Sequence, residues 1–401
     1  MKNNRTFLEK LLDGAEVEWK TLDEISSIYG GLTGKGKADF ENGNALYVPY
    51  KNIFNNIEVD FNNLEAVNVS DDERQYTIKY GDVLFTGSSE TAEEAGMSSA
   101  VTTKTEQKIY LNSFSFGLRF NDDVELLPEF SKFLFRTLSI RKEIVKSASG
   151  VTRFNISKAR FKKIKIPIPP LPVQTEIVKI LDALTALTSE LTSELTLRRK
   201  QYKYYREKLL SEEELGKVGF EWRALKDILI RTKGTKITAA EMKVLHKENA
   251  PLKIFAGGKT FALVNYSDIP EKDINKNPSI IVKSRGIIEF EYYDKPFSHK
   301  NEMWSYYSND KNINIKYIYY VLKNREPYFQ SLGSKMQMPQ IATPDTDKYL
   351  VPIPPPYIQT EIVKILDKFA NLTNSISEGL PLAIEQSQKR YEYYRELLLS
   401  F

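Results

Sequence analysis

The sequence predicts an α+β protein in which two mixed α/β domains are separated by two long antiparallel coiled-coil helices, the whole forming a pseudo-twofold internal repeat. Three observations predict it. First, IPIPPLPVQTEIVKILD at residues 166–182 recurs as VPIPPPYIQTEIVKILD at 351–367, an offset of 185. Second, two further pairs of segments match in the same order. YKYYREKLLS at 202–211 pairs with YEYYRELLLS at 391–400, and VEWKTLDEI at 17–25 with FEWRALKDI at 220–228. Third, the stretches between these matches, 26–150 and 229–334, show almost no common pattern. A frame kept in duplicate around divergent inserts suggests a fixed scaffold carrying two different readers. The boundaries follow: a first variable domain over 1–165, a helical spacer over 166–215, a second variable domain over 216–350 and a second spacer over 351–401.

The helices are read from a stripe. Past the prolines at 167, 169, 170 and 172, apolar side chains recur at spacings alternating four and three: Ile177, Leu181, Leu184, Leu191 and Leu195, with Thr188 in register. So narrow a seam suits a partner helix better than a broad core. The second copy supplies Ile362, Leu366, Phe369, Ile376 and Leu380, then Ser387 and Tyr391. Gly379 and Pro381 should break or kink this copy. Two helices with matching seams most simply pack on each other. The first, taken from Gln174 to Leu210, would be about 55 Å long at ~1.5 Å per residue.

Composition excludes several classes of function. There is no cysteine and there are only two histidines, so disulfides, thiol catalysis and Cys- or paired-His zinc sites are ruled out. No apolar run is long enough to span a bilayer, and the N-terminal MKNNRTFLEKLLDG lacks a signal-peptide core. A cytoplasmic protein with no membrane partner is expected. With 57 basic and 53 acidic residues the net charge is +4, too mild to name a partner. The GGLTGKG run at 30–36 is one residue short of a phosphate loop and has Gly36 where Ser or Thr is required. The PDTDK run at 344–348 crowds its acids together and reads as a loop. Catalytic and metal-ligating residues therefore have no candidates.

Charge clustering does carry a signal. Residues 136–165 hold ten basic residues and one acid, among them Arg153, Lys158, Arg160, Lys162 and Lys163 after the flexible SASG at 147–150. Such density is the usual footprint of a phosphate backbone. The second half has a looser counterpart in Lys283, Arg285, Lys295, His299, Lys300 and Lys335.

On these residues the chain resembles the specificity subunit of Type I restriction-modification enzymes over essentially its full length. The resemblance rests on the duplicated Pro-rich/QTEIVKILD starts, the YYRxxLL ends and the Glu-Trp entries. GDVLFT at 81–86, SIIVK at 279–283 and SHKNEMW at 298–304 also look like family elements, and TSELTSEL at 188–195 is similar to the tetrapeptide repeat some members carry. It implies two target recognition domains reading a split site on double-stranded DNA. It further implies paired helices that space the readers and dock two methyltransferase subunits, with restriction-translocase subunits joining the complex. S-adenosylmethionine would then be bound by the methyltransferase, and ATP and Mg by the restriction subunit. This chain would hold no cofactor and perform no chemistry while the complex methylates adenine N6 or cleaves unmodified DNA.

Base readers should be Arg, Lys, Asn, Gln, Ser or Thr on loops. The candidates are Thr33, Lys35, Lys37, Ser88, Ser89, Arg153 and Asn155 in the first domain. In the second they are Lys233, Lys236, Arg285, Lys335 and Gln337. Lys162 and Lys163 are expected on phosphates. Two rival readings are a coiled-coil adaptor without DNA readout and a DNA enzyme with an unrecognised active site.

Overall fold

The structure is a computed structural model describing residues 7–333, 338–375 and 378–401. The chain divides into two compact units, residues 1–190 with 384–401 and residues 191–383.

In the first unit the Glu-Trp entry becomes strand β1 (Glu18–Thr21). A four-stranded antiparallel sheet is built from β2 (Ser26–Gly30), β5 (Val83–Thr86), β7 (Ser98–Ala100) and β9 (Ser115–Phe120) in the order β2-β9-β5-β7. Beside it β3 (Ala45–Val48) pairs antiparallel with β4 (Glu65–Val67) and parallel with β8 (Ile109–Leu111). Short strands β6 (Ser88–Ser89), β10 (Ala148–Ser149) and β11 (Phe154–Ile156) form a third sheet. The Pro-rich exit is β12 (Lys165–Ile168), which returns to pair with β1, Trp19 opposite Pro167. The SASG segment expected to be flexible thus enters a sheet through β10.

The second unit repeats the entry–exit pair and the four- and three-stranded sheets of the first, with a single bridge, Arg285 to Gln340, where the first has its third sheet. Entry strand β13 (Glu221–Ala224) is followed by β14 (Ile230–Lys233), β15 (Leu252–Phe255), β16 (Phe261–Val264), β17 (Ser279–Lys283), β18 (Glu289–Tyr293), β19 (Phe297–His299) and β20 (Trp304–Tyr307). The four-stranded sheet has the order β14-β20-β17-β18, antiparallel throughout. The three-stranded sheet joins β15 antiparallel to β16 and parallel to β19. Exit strand β21 (Leu350–Ile353) pairs with β13, Trp222 opposite Pro352. The two inserts therefore share one topology although their sequences do not match. What they have in common is alternation of apolar side chains and strand order, which tolerate wide substitution.

The frame is held identically in both units. Leu22 N–H donates to Ile164 O at 2.9 Å, and Leu225 N–H to Tyr349 O at 3.1 Å. Gln174 and Gln359, the first residues of QTEIVKILD, the nine-residue match identical in both copies, are fully buried. The Gln174 Oε1 accepts Leu127 N–H at 2.9 Å, and its Nε2 donates to Glu125 O at 2.8 Å and Pro169 O at 2.7 Å. Gln359 accepts Asn314 N–H at 2.8 Å and donates to Asn312 O at 3.0 Å and Pro354 O at 2.8 Å. At the end of the match, Asp182 pairs with Lys132 at 2.9 Å and Asp367 with Lys316 at 2.8 Å.

The first long helix runs Leu171–Leu209, with Pro172 in its opening turn where no backbone donor is lost. Ile177 and Leu181 are fully buried, each worth about 1.5–3 kcal/mol of transfer free energy. Leu184, Leu191 and Leu195 are half-buried, as the stripe requires. Within the first unit this helix lies antiparallel to the helix Gly379–Leu398. Leu398 joins the core of Ile177 and Leu181, and Thr188 and Ser387 bring their hydroxyls to 2.8 Å. Within the second unit its later residues meet the helix Pro356–Asn374, with Tyr205 stacked on Phe369 at 5.4 Å. There Ile362 and Leu366 are buried and Phe369 half-buried. Ile376 lies outside the described residues, and Leu380 is half-buried in the last helix.

The expected break falls at Gly379. Its φ is +78°, and a Cβ there would come within 2.7 Å of Asn371 O, so only glycine fits without displacing backbone. The PDTDK run is a correction. It forms the short helix Thr343–Asp347, not a loop, because Pro344 opens it and Asp345 Oδ2 caps Ala342 N–H at 2.7 Å. No helix among the described residues is long and apolar enough to cross a membrane.

Candidate nucleic-acid interface

The common topology places one crevice at the same position in each unit. In the first, β6 pairs with β11, Ser88 opposite Asn155 and Ser89 opposite Phe154, while Ile156 N–H donates to Gly87 O at 3.0 Å. In the second, Arg285 bridges to Gln340, Gly286 N–H donates to Pro339 O at 2.9 Å, and Ile341 N–H donates to Ser284 O at 3.0 Å. Asn155 and Ile156 lie 185 residues before Gln340 and Ile341, the offset of the nine-residue match. Ser88 is thus the positional counterpart of Arg285, and Arg153 of Met338.

The linings differ. The first crevice is bordered mainly by polar residue types, Tyr50, Lys51, Phe54, Ser88, Ser89, Glu90, Glu94, Thr152 and Arg153. Tyr50 Oη donates to Ser88 O at 2.8 Å and fixes one wall, and burial raises its phenol above the usual tyrosine range. Arg153 is exposed on the rim, 5.8 Å from the Phe114 ring. The second crevice is more apolar, with Met242, Phe261, Ile287 and Met338 around Lys243, His246, Arg285, Lys300 and Glu302.

The structure thus brings Ser88, Ser89, Arg153 and Asn155 together in one unit, and Arg285 and Lys300 together in the other. Ser88 and Ser89 are buried in the crevice wall, so their neighbours Tyr50, Lys51 and Thr152 offer more accessible groups. Thr33, Lys35 and Lys37 lie apart. Thr33 N–H donates to Gln75 Oε1 at 3.1 Å. Lys35 pairs with Glu73 at 2.5 Å, and that hydrogen bond pulls the Glu73 carboxyl down to about 2. Lys37 is exposed, as are Lys233 and Lys236, and the latter two form no ion pair among the described residues. Lys335 and Gln337 lie outside the described residues.

Several predicted contacts serve the fold instead. Lys283 is buried between Glu289 at 2.6 Å and Glu291 at 2.7 Å. Burial opposes its charge, but the two carboxylates outweigh that and hold its ammonium above the usual lysine range. His299 is fully buried, its Nδ1 3.0 Å from Lys300 O, and burial lowers its pKa. A Cβ on Gly234 would sit 2.5 Å from that Nδ1, so the close approach needs glycine. Lys300 is taken up by Glu302 at 2.7 Å.

The basic cluster over 136–165 is likewise divided. Arg136 donates to the carbonyls of Ser98, Ile53, Phe54 and Asn56, and Arg141 to those of Gly96, Glu93 and Ala95. Burial lowers each guanidinium to about 10. Lys162 pairs with Asp23 at 2.9 Å, and Arg160 donates to Lys146 O at 3.3 Å. Arg153, Lys158 and Lys163 remain exposed. Sequence reasoning missed the buried glutamines and Gln340. The identity of Gln174 and Gln359 in the two copies was the available signal for the first. Among the described residues no group of three or more His, Cys, Asp or Glu is poised to hold a metal ion.

The model of the Type I restriction modification DNA specificity domain matches twice, at residues 15–197 and 217–386. The chain belongs to this family. Among relatives of this specificity family, a putative type I restriction enzyme specificity subunit of Haemophilus influenzae is 36% identical over 424 residues, 100% of both chains. The specificity subunit of the Escherichia coli type I restriction enzyme EcoR124I/EcoR124II is 32% identical over 429 residues, 99% of this chain and 97% of that one. The fold is similar to the crystal structure of a Type-I restriction-modification S subunit from M. genitalium, with TM-score 0.55, 15% identity and 96% of each chain covered. It is also similar to a chain from a structural study of complex assembly in the type I R-M system, with TM-score 0.60 at 16% identity and coverage of 96% and 98%.

Proposed function

We propose that this specificity-family chain reads a two-part target on double-stranded DNA, one half-site through each crevice. The observation that carries this is the pair of equivalent crevices with unlike linings, Ser88 and Arg153 in one against Arg285 and Met338 in the other. One backbone scaffold presenting different donors and apolar groups at the same register is what recognition of two different sequences requires. In this reading the helices dock two methyltransferase subunits, and restriction-translocase subunits join through them. The adenine N6 methylation draws on S-adenosylmethionine held by the methyltransferase, and cleavage on ATP and Mg held by the restriction subunit. This chain selects the sequence and performs no chemistry. Exposed Lys158 and Lys163 supply the sequence-independent hold on phosphate.

The test is selection from a random duplex library by the purified complex of this chain with its methyltransferase partner. A motif in two parts with a fixed gap supports the reading, and a contiguous motif contradicts it. The internal use of Arg136, Arg141 and Lys162 favours the rival reading, an adaptor without DNA readout, because it thins the basic face. Absence of salt-dependent DNA binding would decide for that adaptor.

A further inference from the structure

Within the reading just proposed, the second crevice contains one side chain prepared for base recognition. Arg285 follows strand β17 and is exposed. Its Nε donates to Gln340 Oε1 at 3.0 Å across the bridge that joins the two residues' backbones. That contact fixes the plane of the guanidinium and leaves both terminal nitrogens without a protein acceptor among the described residues. The nearby acid, Glu302, is engaged by Lys300 at 2.7 Å, and Arg285 forms no ion pair among the described residues. Three other arginines are used within the fold. Arg136 and Arg141 spend their donors on backbone carbonyls, and Arg231 is paired with Asp347. Next to Arg285, Gly286 turns the chain at φ +73°, and Ile287 and Met338 stand 64% and 61% exposed.

We infer that Arg285 reads a guanine in the half-site of the second unit, with Gln340 as its positioning residue. A guanidinium fork matches the O6 and N7 acceptors that guanine presents in the major groove. A fork already oriented by a neighbour loses less freedom on binding. A phosphate contact would need neither the buttress nor the apolar neighbours. It would also be expected at the same register in both units, whereas the counterpart of Arg285 is the buried Ser88.

The experiment uses the full chain in complex with its methyltransferase partner. Methylated sites are mapped for the wild type, Arg285→Ala, Arg285→Lys, Gln340→Ala and Gln340→Glu. The wild-type motif should hold a guanine in one half-site. Arg285→Ala should accept other bases at that position, lowering the preference for guanine about 5- to 150-fold, the span of a bidentate base contact. Arg285→Lys should not restore it. Gln340→Ala should relax the same position in part, while Gln340→Glu, which keeps the acceptor, should retain it. The other half-site should not change. Binding to a duplex carrying 7-deazaguanine at that position covers the case in which a variant loses methylation altogether. The wild-type complex should bind it more weakly than the natural site, and Arg285→Ala should not distinguish the two. A two-part motif unaltered by Arg285→Ala, or a uniform loss across all sequences, would overturn this inference alone. A wild-type complex with no two-part motif would overturn the underlying reading and this inference with it.

Discussion

The buried glutamine that opens each QTEIVKILD copy should hold the exit of its recognition domain to the long helix. Gln174 has no exposed surface and makes three hydrogen bonds, one accepted from Leu127 N–H and two donated to the carbonyls of Glu125 and Pro169. Gln174→Met keeps the volume and removes all three. A typical hydrogen bond contributes about 1 kcal/mol net, so the three together give roughly 3 kcal/mol, and the orphaned backbone groups push the loss toward the upper end. With a urea dependence of about 2 kcal/mol per molar, the midpoint for the first unit should fall by about 1.5 M. Amide exchange resolved to the peptide carrying Leu127, read alongside urea unfolding, separates this unit from the other. Exchange at Leu127 should accelerate with little change in the second unit. Gln359→Met should do the converse through Asn314, Asn312 and Pro354. An unchanged midpoint with Leu127 still protected would refute the reasoning.

Three further predictions concern charge, protonation and length. Lys163→Ala should weaken binding to all DNA sequences alike and reduce the salt slope by about 0.9. Lys162→Ala should do less, because Asp23 already holds that ammonium at 2.9 Å; titration of affinity against salt separates the two. His299, buried against Lys300 O, Thr232 and Ser305, has its folded pKa lowered chiefly by burial. The unfolded chain therefore takes up the proton first. Stability of the second unit should fall as pH drops below about 6.5, each unit of depression being worth about 1.4 kcal/mol, and His299→Gln should flatten that slope in thermal melts. Deleting Thr192–Leu195, one of the two TSEL copies, removes about 6 Å from the helix Leu171–Leu209. Because helix tilt and the partner helix pass on only part of that change, the preferred spacer should shorten by about one base pair with both half-sites kept. Methylation of a spacer-length library would show this, and an altered half-site would count against it.

The frame was legible in the sequence because its signals are local or duplicated. The seam from Ile177 to Leu195 follows from side-chain spacing, the helix break from Gly379 and Pro381, and the pairing of entry with exit strands lies within repeated segments. The common topology of the two inserts was not legible. Its decisive contacts, such as Leu46 beside Ile109 and Ile254 beside Ser298, join residues far apart in sequence that share no motif. Charge misled for a related reason. Lys283, Arg136 and Arg141 look like surface cations until the carboxylates and carbonyls that receive them are brought close by the fold. Arg285 and Arg153 were found by type and loop position. Only the fold shows that they stand on walls held in the same register.

Sequencing of N6-methyladenine in DNA from cells expressing this chain with its methyltransferase partner, against cells lacking the chain, tests the central claim most directly. The account predicts a split motif with a fixed gap, methylated only when the chain is present. A contiguous motif, or methylation that does not depend on the chain, would contradict it.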